Sequence, residues 1–498
     1  MYQSFLETSV QRESQPAIID RDGTCVTFGE LHQQIAYAAR YIYKLKRSDD
    51  KRTAFFLPMS AKMYPVLIAL LTLGHNVLIP DPWIGLQRIN RLMKSLQPDQ
   101  LVIDHRLRHL RWIMPGLRKI PAAWAVTSLQ NKAADEFPDG DGLRHASVIT
   151  FTGGSSGQPK GVIRTADILE GQLRALQSHI GREDTSVLYT HYPMVALAGL
   201  MLGKTIVIPD FNLMNVHKAH AGKIIRALNT HRVDQLIVSP ALLRNITSEP
   251  EQVGSLKHVI TGGAPVSGYL IRRAQQWMPA CRFEAVYGSS EAEPMACIDF
   301  REMAGQLHHP QNGIPAGSPV PELSLKIIPP ELESRNVPDP DEVELVEGET
   351  GEIVVAGPHV NRSYYGDGQN LASNKIKDRN GRIWHRTGDI GYLKNGSLYL
   401  TGSRHLQVCK NGSTYNPWPA ELLLSEQLEL QDVAYVQDRQ HRIVVCAGSG
   451  ERRAPEKITN LLKAFSYPVD RVRFFRRALP RDPRHRSKIN LHKMRKML

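Results

Sequence analysis

A chain of 498 residues is too long for one small domain, and 42% hydrophobic with 22% charged residues is an ordinary globular balance, so two or more domains with sizeable cores are expected. No run of eighteen apolar residues exists and the opening MYQSFLETSVQRESQ has no apolar signal core, which predicts a cytoplasmic protein without a transmembrane segment. The five cysteines (Cys25, Cys281, Cys297, Cys409, Cys446) form no CxxC pair, against a zinc site or a disulfide framework, and the formal net charge of +13 points to anionic partners.

Residues 16–31 (PAIIDRDGTCVTFGEL) read as a strand, an Asp22-Gly23 turn, a second strand and a helix opening after Thr27. Thr53 to Pro58 is a buried strand, Ala61 to Leu73 an apolar helix and Asn76 to Pro80 another strand, with Gln100–Ile103 to follow. Strand and helix alternate, which predicts βαβ units and a parallel sheet.

The stretch Ser147–Thr165 (SVITFTGGSSGQPKGVIRT) carries the first chemistry. β-prone Val148 to Phe151 feed a loop, Thr152-Gly153-Gly154-Ser155-Ser156-Gly157, closed by Gln158-Pro159-Lys160-Gly161 before Val162-Ile163. Glycines let backbone N–H groups approach an anion, the hydroxyls add donors, and Lys160 adds a point charge, so the loop is a phosphate cradle. A Walker A loop needs Gly-Lys-Ser/Thr opening a helix, whereas Lys160 follows a proline and precedes a strand. The alternative of a plain Gly/Ser hairpin turn is the weaker reading of six small residues closed by Pro-Lys-Gly.

T-G-G-S-S-G-Q-P-K-G resembles the signature loop of the adenylate-forming superfamily of acyl-CoA synthetases, peptide-synthetase adenylation domains and luciferases, and the T-F-x-E-L opening at Thr27 is similar too. The resemblance implies that the loop wraps the β- and γ-phosphates of ATP. Further along, a helix is expected from about Asp167 to His179, then Val187–Met194 and a hydrophobic stretch Val195 to Leu202. In the superfamily an aromatic or His residue near the acyl pocket often stands three positions after the proline; here that position is Ala196, which implies a roomier or differently shaped pocket.

Val233 to Ser239 reads as a strand leading to a helix at Pro240, and His258–Thr261 as a strand ending in Gly262-Gly263-Ala264-Pro265. Such a loop at a strand end is where an open α/β sheet places a ligand. Phe283 to Val286 is a strand ending in Tyr287-Gly288-Ser289-Ser290-Glu291. The resemblance implies that Gly263, Ala264, Pro265 and Tyr287–Ser290 border the adenine, while Glu291 serves Mg²⁺. That suits a flat base and a hard cation. The proline-rich, acidic residues 330–350 form an exposed loop; Gly351–Gly357 then resembles the family's G-E-I strand and Trp384–Asp389 its T-G-D motif, which implies that Asp389 accepts from both ribose hydroxyls. Asn395-Gly396 is a hairpin turn and Ser397 to Thr401 the returning strand.

Gly402–Gly412 (GSRHLQVCKNG) departs from the family's G-R-x-D-x-x-I-K hinge: Ser403, His405 and Cys409 stand where Arg, Asp and Lys are usual, and Arg404 is placed to substitute for the ribose-facing arginine. Near the end, Leu479–Ile489 matches P-x-T-x-x-G-K-hydrophobic with Lys488 at the catalytic lysine's place and Ser487 for the glycine. The variant ending R-H-x-x-K-I is similar to olefin-pathway β-lactone synthetases, as are Asp81-Pro82 and Ala196. From Glu451 to Leu498 fifteen Lys or Arg stand against four acids, a net +11, interleaved with Leu461, Leu462, Phe465, Phe474 and Phe475. This predicts a folded basic face rather than a disordered nucleic-acid arm.

The expectation is thus an α/β enzyme with a large, multi-subdomain adenylate-forming N-terminal domain, residues 1–401, and a small mobile α+β C-terminal domain, residues 402–498, bringing Lys488. It would use ATP and Mg²⁺ to activate a carboxylic, fatty or hydroxy-fatty, acid. Transfer to coenzyme A or an acidic acyl-carrier protein is the broader expectation, because most of the superfamily does it. Thiol-free β-lactone formation is the close alternative, a non-catalytic nucleotide-binding protein the alternative of another class, and no nucleic-acid partner is expected.

Overall fold

A computed structural model describes residues 2–45, 51–127, 129, 141–153, 159–332, 338–366, 374–448, 450, 453–481 and 489–498. The chain forms two compact units, one of Met1–Ile237, Val253–His258 and Asn361–Leu371, the other of Val238–Gln252, Val259–Val360 and Ala372–Leu498.

In the first unit, strands Pro16–Ile19 and Cys25–Thr27 pair antiparallel, and Thr27 caps the helix Phe28–Lys44. Its hydroxyl accepts the Glu30 N–H at 3.1 Å while the Glu30 carboxylate accepts the Thr27 N–H at 2.9 Å, a reciprocal box that satisfies two donors at the helix start. The helix then buries Phe28, Leu31, Ile35, Ala38, Ala39 and Ile42 along one side. Arg52–Phe56, the wholly buried helix Met63–Thr72 and Asn76–Pro80 make the expected parallel βαβ unit.

A seven-stranded sheet follows, in the order Tyr364–Tyr365, Pro159–Thr165, Ser147–Gly153, Asn76–Pro80, Arg52–Phe56, Gln100–Asp104, Ala122–Val126. Its last five strands are parallel; the first three pair antiparallel. Ile89, Met93, Leu96, Met114, Leu117 and Ile120 pack on its Leu78, Leu101, Ile103, Ile149 and Phe151. A parallel set in the same unit runs Gln235–Val238, Val187–Thr190, Thr205–Val207, Pro16–Ile19. Asp234 pins its start by accepting the Ser186 and Val187 N–H groups at 2.9 Å each.

The second unit holds the strands Ser324–Ile328, Gly351–Ala356, Ile383–Lys394, Ser397–Ser403, Ile314–Pro319, Ala292–Asp299, Arg282–Ser289 and His258–Gly262, hydrogen-bonded in that order. Asn395 and Gly396 turn the chain between Ile383–Lys394 and Ser397–Ser403 with φ of 51° and 73°, the left-handed pair that a tight hairpin requires. Gly317, φ 78°, sits at a register shift where an added Cβ would lie 2.0 Å from the Cys297 carbonyl oxygen. Toward the C-terminus Val433–Gln437, Ile443–Ala447 and Arg471–Phe474 make a three-stranded sheet, and Val408–Lys410 with Ser413–Tyr415 a small ribbon. The helices Pro417–Leu428 and Pro455–Ala464 cover that sheet with Ala420, Leu423, Leu424, Ile458 and Leu462.

The mixed α/β class is as the sequence implies. Two local readings change. The strand expected over Phe283–Val286 continues to Ser289, so Tyr287 and Gly288 lie within it, and it turns into a further strand, Ala292–Asp299, that sequence reasoning did not include. Pro294 inside that strand is the reason, since proline cannot donate to a ladder. The returning strand after Gly396 extends to Ser403, which pairs with Asp389. Among the described residues no helix is long and apolar enough to cross a membrane.

Candidate active site

In the first unit the glycine-rich segment is flanked by two paired strands. Ser147–Gly153 and Pro159–Thr165 pair from Ser147↔Thr165 to Gly153↔Pro159, which sets Thr152 opposite Lys160. Gly154, Ser155, Ser156 and Gly157 lie outside the described residues. The Lys160 ammonium stands 5.5 Å from the centroid of the Tyr364 ring, a cation–π distance. Gly161 is required locally: a Cβ there would meet the Phe151 ring at 2.8 Å and the Tyr365 Cβ at 2.9 Å. Ala196 is fully buried in the helix Pro193–Met201.

The second unit assembles most of the other expected residues. His258–Gly262 runs into the loop Gly263-Ala264-Pro265, where Gly263 has φ 83° and is exposed. Next to Gly262 the backbone of the neighbouring strand is so close that a Cβ would lie 2.7 Å from the Val286 carbonyl oxygen. The Tyr287 hydroxyl donates to Asp389 Oδ2 at 3.0 Å, so an aromatic wall and the T-G-D carboxylate, a hundred residues apart in the chain, become one device. Tyr287 is partly exposed, whereas burial of its hydroxyl, with the Asp389 charge beside it, pushes the phenol well above its ordinary value and keeps it a donor.

Asp389 is itself 9% exposed and held from the backbone side. Its N–H donates to the Thr387 hydroxyl at 3.0 Å, and that hydroxyl donates to the Ile353 carbonyl at 2.9 Å. Gly388, φ 73°, lies within the strand at a register shift against Gly351–Ala356, and its carbonyl accepts the Ser403 hydroxyl at 3.0 Å and the Arg404 N–H at 2.9 Å. A carboxylate so fixed, with one oxygen engaged by a phenol, can accept from a diol without reorganising.

Sequence reasoning missed what lies behind it. Glu352 of the G-E-I strand and Arg386 of the T-G-D strand are each 1% exposed and paired, Arg386 Nε donating to Glu352 Oε2 at 3.0 Å and its Nη1 to the Leu332 carbonyl at 3.0 Å. Arg404 Nη1 reaches the same Glu352 oxygen at 3.2 Å. The displaced hinge arginine is therefore tied to the G-E-I glutamate, while its 34% exposure leaves part of the guanidinium open. Both motifs were visible in sequence, but nothing in their spacing showed that one carboxylate collects two arginines.

Glu291 occupies the turn between Arg282–Ser289 and Ala292–Asp299, half exposed, its N–H donating to the Ser289 hydroxyl at 3.3 Å. Among the described residues no group of three or more His, Cys, Asp or Glu could hold a metal alone. A single accessible carboxylate fits Mg²⁺, which keeps waters and takes substrate phosphate oxygens as its remaining ligands. Lys488 lies outside the described residues; the flanking Arg481 and Ile489 bridge antiparallel, and Leu479, Ile489 and Met494 pack against Ala434, Val436, Val444 and Cys446.

The chain belongs to the AMP-binding enzyme family, whose model matches residues 5–365, and within the adenylate-forming superfamily it is an AMP-forming ligase. It is similar to the olefin β-lactone synthetase of Stenotrophomonas maltophilia, 29% identical over 72% of this chain and 68% of that protein. The enzyme of the same name from Xanthomonas campestris pv. campestris is 25% identical over 89% and 85%. In fold it matches the amide bond synthetase McbA of Marinactinospora thermotolerans, with a TM-score of 0.80, 21% identity and 99% of each chain covered.

Proposed function

We propose that this ligase joins a carboxylic acid to AMP, releasing pyrophosphate from ATP, and then closes the activated β-hydroxy acid into a β-lactone. The observation that carries the first step is the Asp389 carboxylate, set by Tyr287 and Thr387 to accept the ribose hydroxyls. Gly263, Ala264, Pro265 and the Tyr287–Ser290 strand end border the adenine. Thr152, Gly153, the loop residues Gly154, Ser155, Ser156 and Gly157, and Lys160 hold the β- and γ-phosphates. Glu291 would hold Mg²⁺, which would supply charge neutralisation on the triphosphate. The substrate carboxylate forms a bond to the α-phosphorus as the bond from that phosphorus to the β-phosphate bridging oxygen breaks, and pyrophosphate leaves with the electron pair. Lys488 stabilises charge around the α-phosphate, arriving by rotation of residues 402–498 on the hinge at Ser403–His405.

In the second step the β-hydroxyl oxygen attacks its own acyl carbon, AMP departs, and the hydroxyl proton passes to solvent. Intramolecularity supplies the effective concentration. The shared name of the two relatives and the R-H-x-x-K-I ending support this reading. Thioester formation with coenzyme A or an acidic carrier protein is the second reading, favoured by the basic C-terminal segment. A panel of acids and β-hydroxy acids, with and without coenzyme A, tests both by pyrophosphate release and product mass. A dehydrated β-hydroxy acid without thiol is expected; a thioester formed only with coenzyme A replaces the lactone reading. Lys488→Ala should abolish pyrophosphate release with ATP binding little changed, and undiminished release would remove the lysine from the mechanism.

A further inference from the structure

One face of the first unit carries a feature that acid activation does not use. Between residues 82 and 120 the chain places eight Lys or Arg against two acids. Both acids are engaged, Asp99 with Arg52 at 3.4 Å and Asp104 with Arg106 at 2.9 Å. Arg88, Arg91 and Lys94 on the helix Leu86–Leu96, with Arg108, Arg118 and Lys119 beyond it, are exposed. Among these cations stand large apolar side chains in water: Trp112 is 81% exposed, Ile113 63% and Leu86 54%.

Packing holds them outward. Ile89, Met93, Leu96, Met114, Leu117 and Ile120 occupy the inward side against the seven-stranded sheet. The Gly116 N–H donates to Asn90 Oδ1 at 2.8 Å, and Arg111 Nη2 donates to the Ile120 carbonyl at 3.0 Å, which fastens the short helices Leu110–Ile113 and Pro115–Arg118 to the layer. A tryptophan and an isoleucine at neighbouring positions, both mostly exposed, carry an unfavourable hydration free energy that burial would relieve.

We propose that this face docks on an anionic lipid surface, with Trp112 and Ile113 entering the headgroup layer and the surrounding cations meeting lipid phosphates. The indole is the side chain best suited to that boundary, apolar in body and able to donate from its N–H. Lys and Arg near an anionic leaflet add attraction that accumulates with their number and is screened by salt. A nucleic acid is the poorer fit: Trp112 is the one aromatic residue between 105 and 120, and single strands are held by successive aromatic platforms.

The test is sedimentation of the full chain with vesicles of phosphatidylcholine alone and of phosphatidylcholine mixed with phosphatidylglycerol. Binding is expected to the anionic vesicles only and to be released by high salt. Trp112→Ser with Ile113→Ser, and separately Arg91→Glu with Lys94→Glu and Arg118→Glu, should each weaken it by roughly tenfold or more. These surface variants are expected to keep pyrophosphate release, which separates lost docking from lost folding. Absence of binding to phosphatidylglycerol vesicles overturns the proposal, as does equal binding by the Trp112/Ile113 variant, which would assign lipid affinity to another basic segment. Capture of an acidic protein without vesicle binding overturns it too.

Discussion

In the proposed reading Tyr287 does two things with one side chain: its partly exposed side chain borders the adenine, and its hydroxyl donates to Asp389 at 3.0 Å. Removing that hydroxyl leaves the ring and frees the carboxylate. Tyr287→Phe is therefore expected to raise the KM for ATP by roughly 3- to 10-fold, part of the worth of one hydrogen bond to a charged group because the bond acts on ATP only through Asp389, with a smaller effect on kcat. It should also narrow the preference for ATP over 2′-deoxyATP, and Asp389→Ala should erase that preference. Kinetics with the two nucleotides check both. An unchanged preference in Tyr287→Phe alongside a lost one in Asp389→Ala would show that Asp389 needs no help from the phenol. An unchanged preference in both would move the ribose elsewhere.

At the scale of elements, the βαβ unit Arg52–Pro80 has a titrating group inside it. His75, between the buried helix and the strand Asn76–Pro80, is 5% exposed and shares a 2.8 Å hydrogen bond between its Nδ1 and the Thr53 hydroxyl. Burial, with the Lys51 charge beside it, pushes the imidazole from 6.5 down to about 4. The unfolded chain takes up this proton near pH 6.5 and the folded chain only near 4, so the neutral ring's contribution is whole above pH 6.5 and is lost as pH falls toward 4. The full loss is on the order of 3 kcal/mol. Melting temperature should thus fall across that window, and His75→Gln, which starts less stable, should flatten the fall. An equally steep acid limb in the variant would assign it to other groups. Elements with local signals were legible in advance: the helix start after Thr27, the Asn395-Gly396 turn and the strand Asn76–Pro80 are as read. Ala292–Asp299 was not, because its proline argues locally against a strand that its neighbours impose.

For the molecule as a whole, Glu426 joins distant stretches. On the helix Pro417–Leu428, its carboxylate is 10% exposed and accepts the Gly268 N–H at 3.1 Å and Arg272 Nη1 at 3.0 Å, at the N-terminal end of the helix Gly268–Trp277. The fit is close: a Cβ on Gly268 would lie 2.4 Å from Glu426 Oε2. Charge at a helix N-terminus plus an arginine makes this contact worth about 1–3 kcal/mol. If residues 402–498 turn on the Ser403–His405 hinge, the contact must break, and Glu426→Ala should favour the released arrangement. Limited proteolysis is expected to cut the variant between 402 and 416 several-fold faster than the parent, an effect of about 1 kcal/mol. An unchanged rate would mean that Glu426 does not restrain the hinge.

What the sequence by itself determined is local in origin. Glycine and proline positions, hydrophobic alternation and short ordered motifs act over a few residues, so they were enough for the α/β class and for naming Lys160, Gly263 and Asp389 as candidates. What only the tertiary structure decided depends on residues far apart in the chain. That Tyr287 orients Asp389, that Glu352 gathers Arg386 and Arg404, that Glu426 sits on Gly268, and that Trp112 and Ile113 face outward while Met114 and Leu117 face in, each follows from which strands pair and which helix faces are covered. Hydrogen bonds and burial act over a few ångströms in space, and that proximity is set by the folded topology rather than by spacing along the chain.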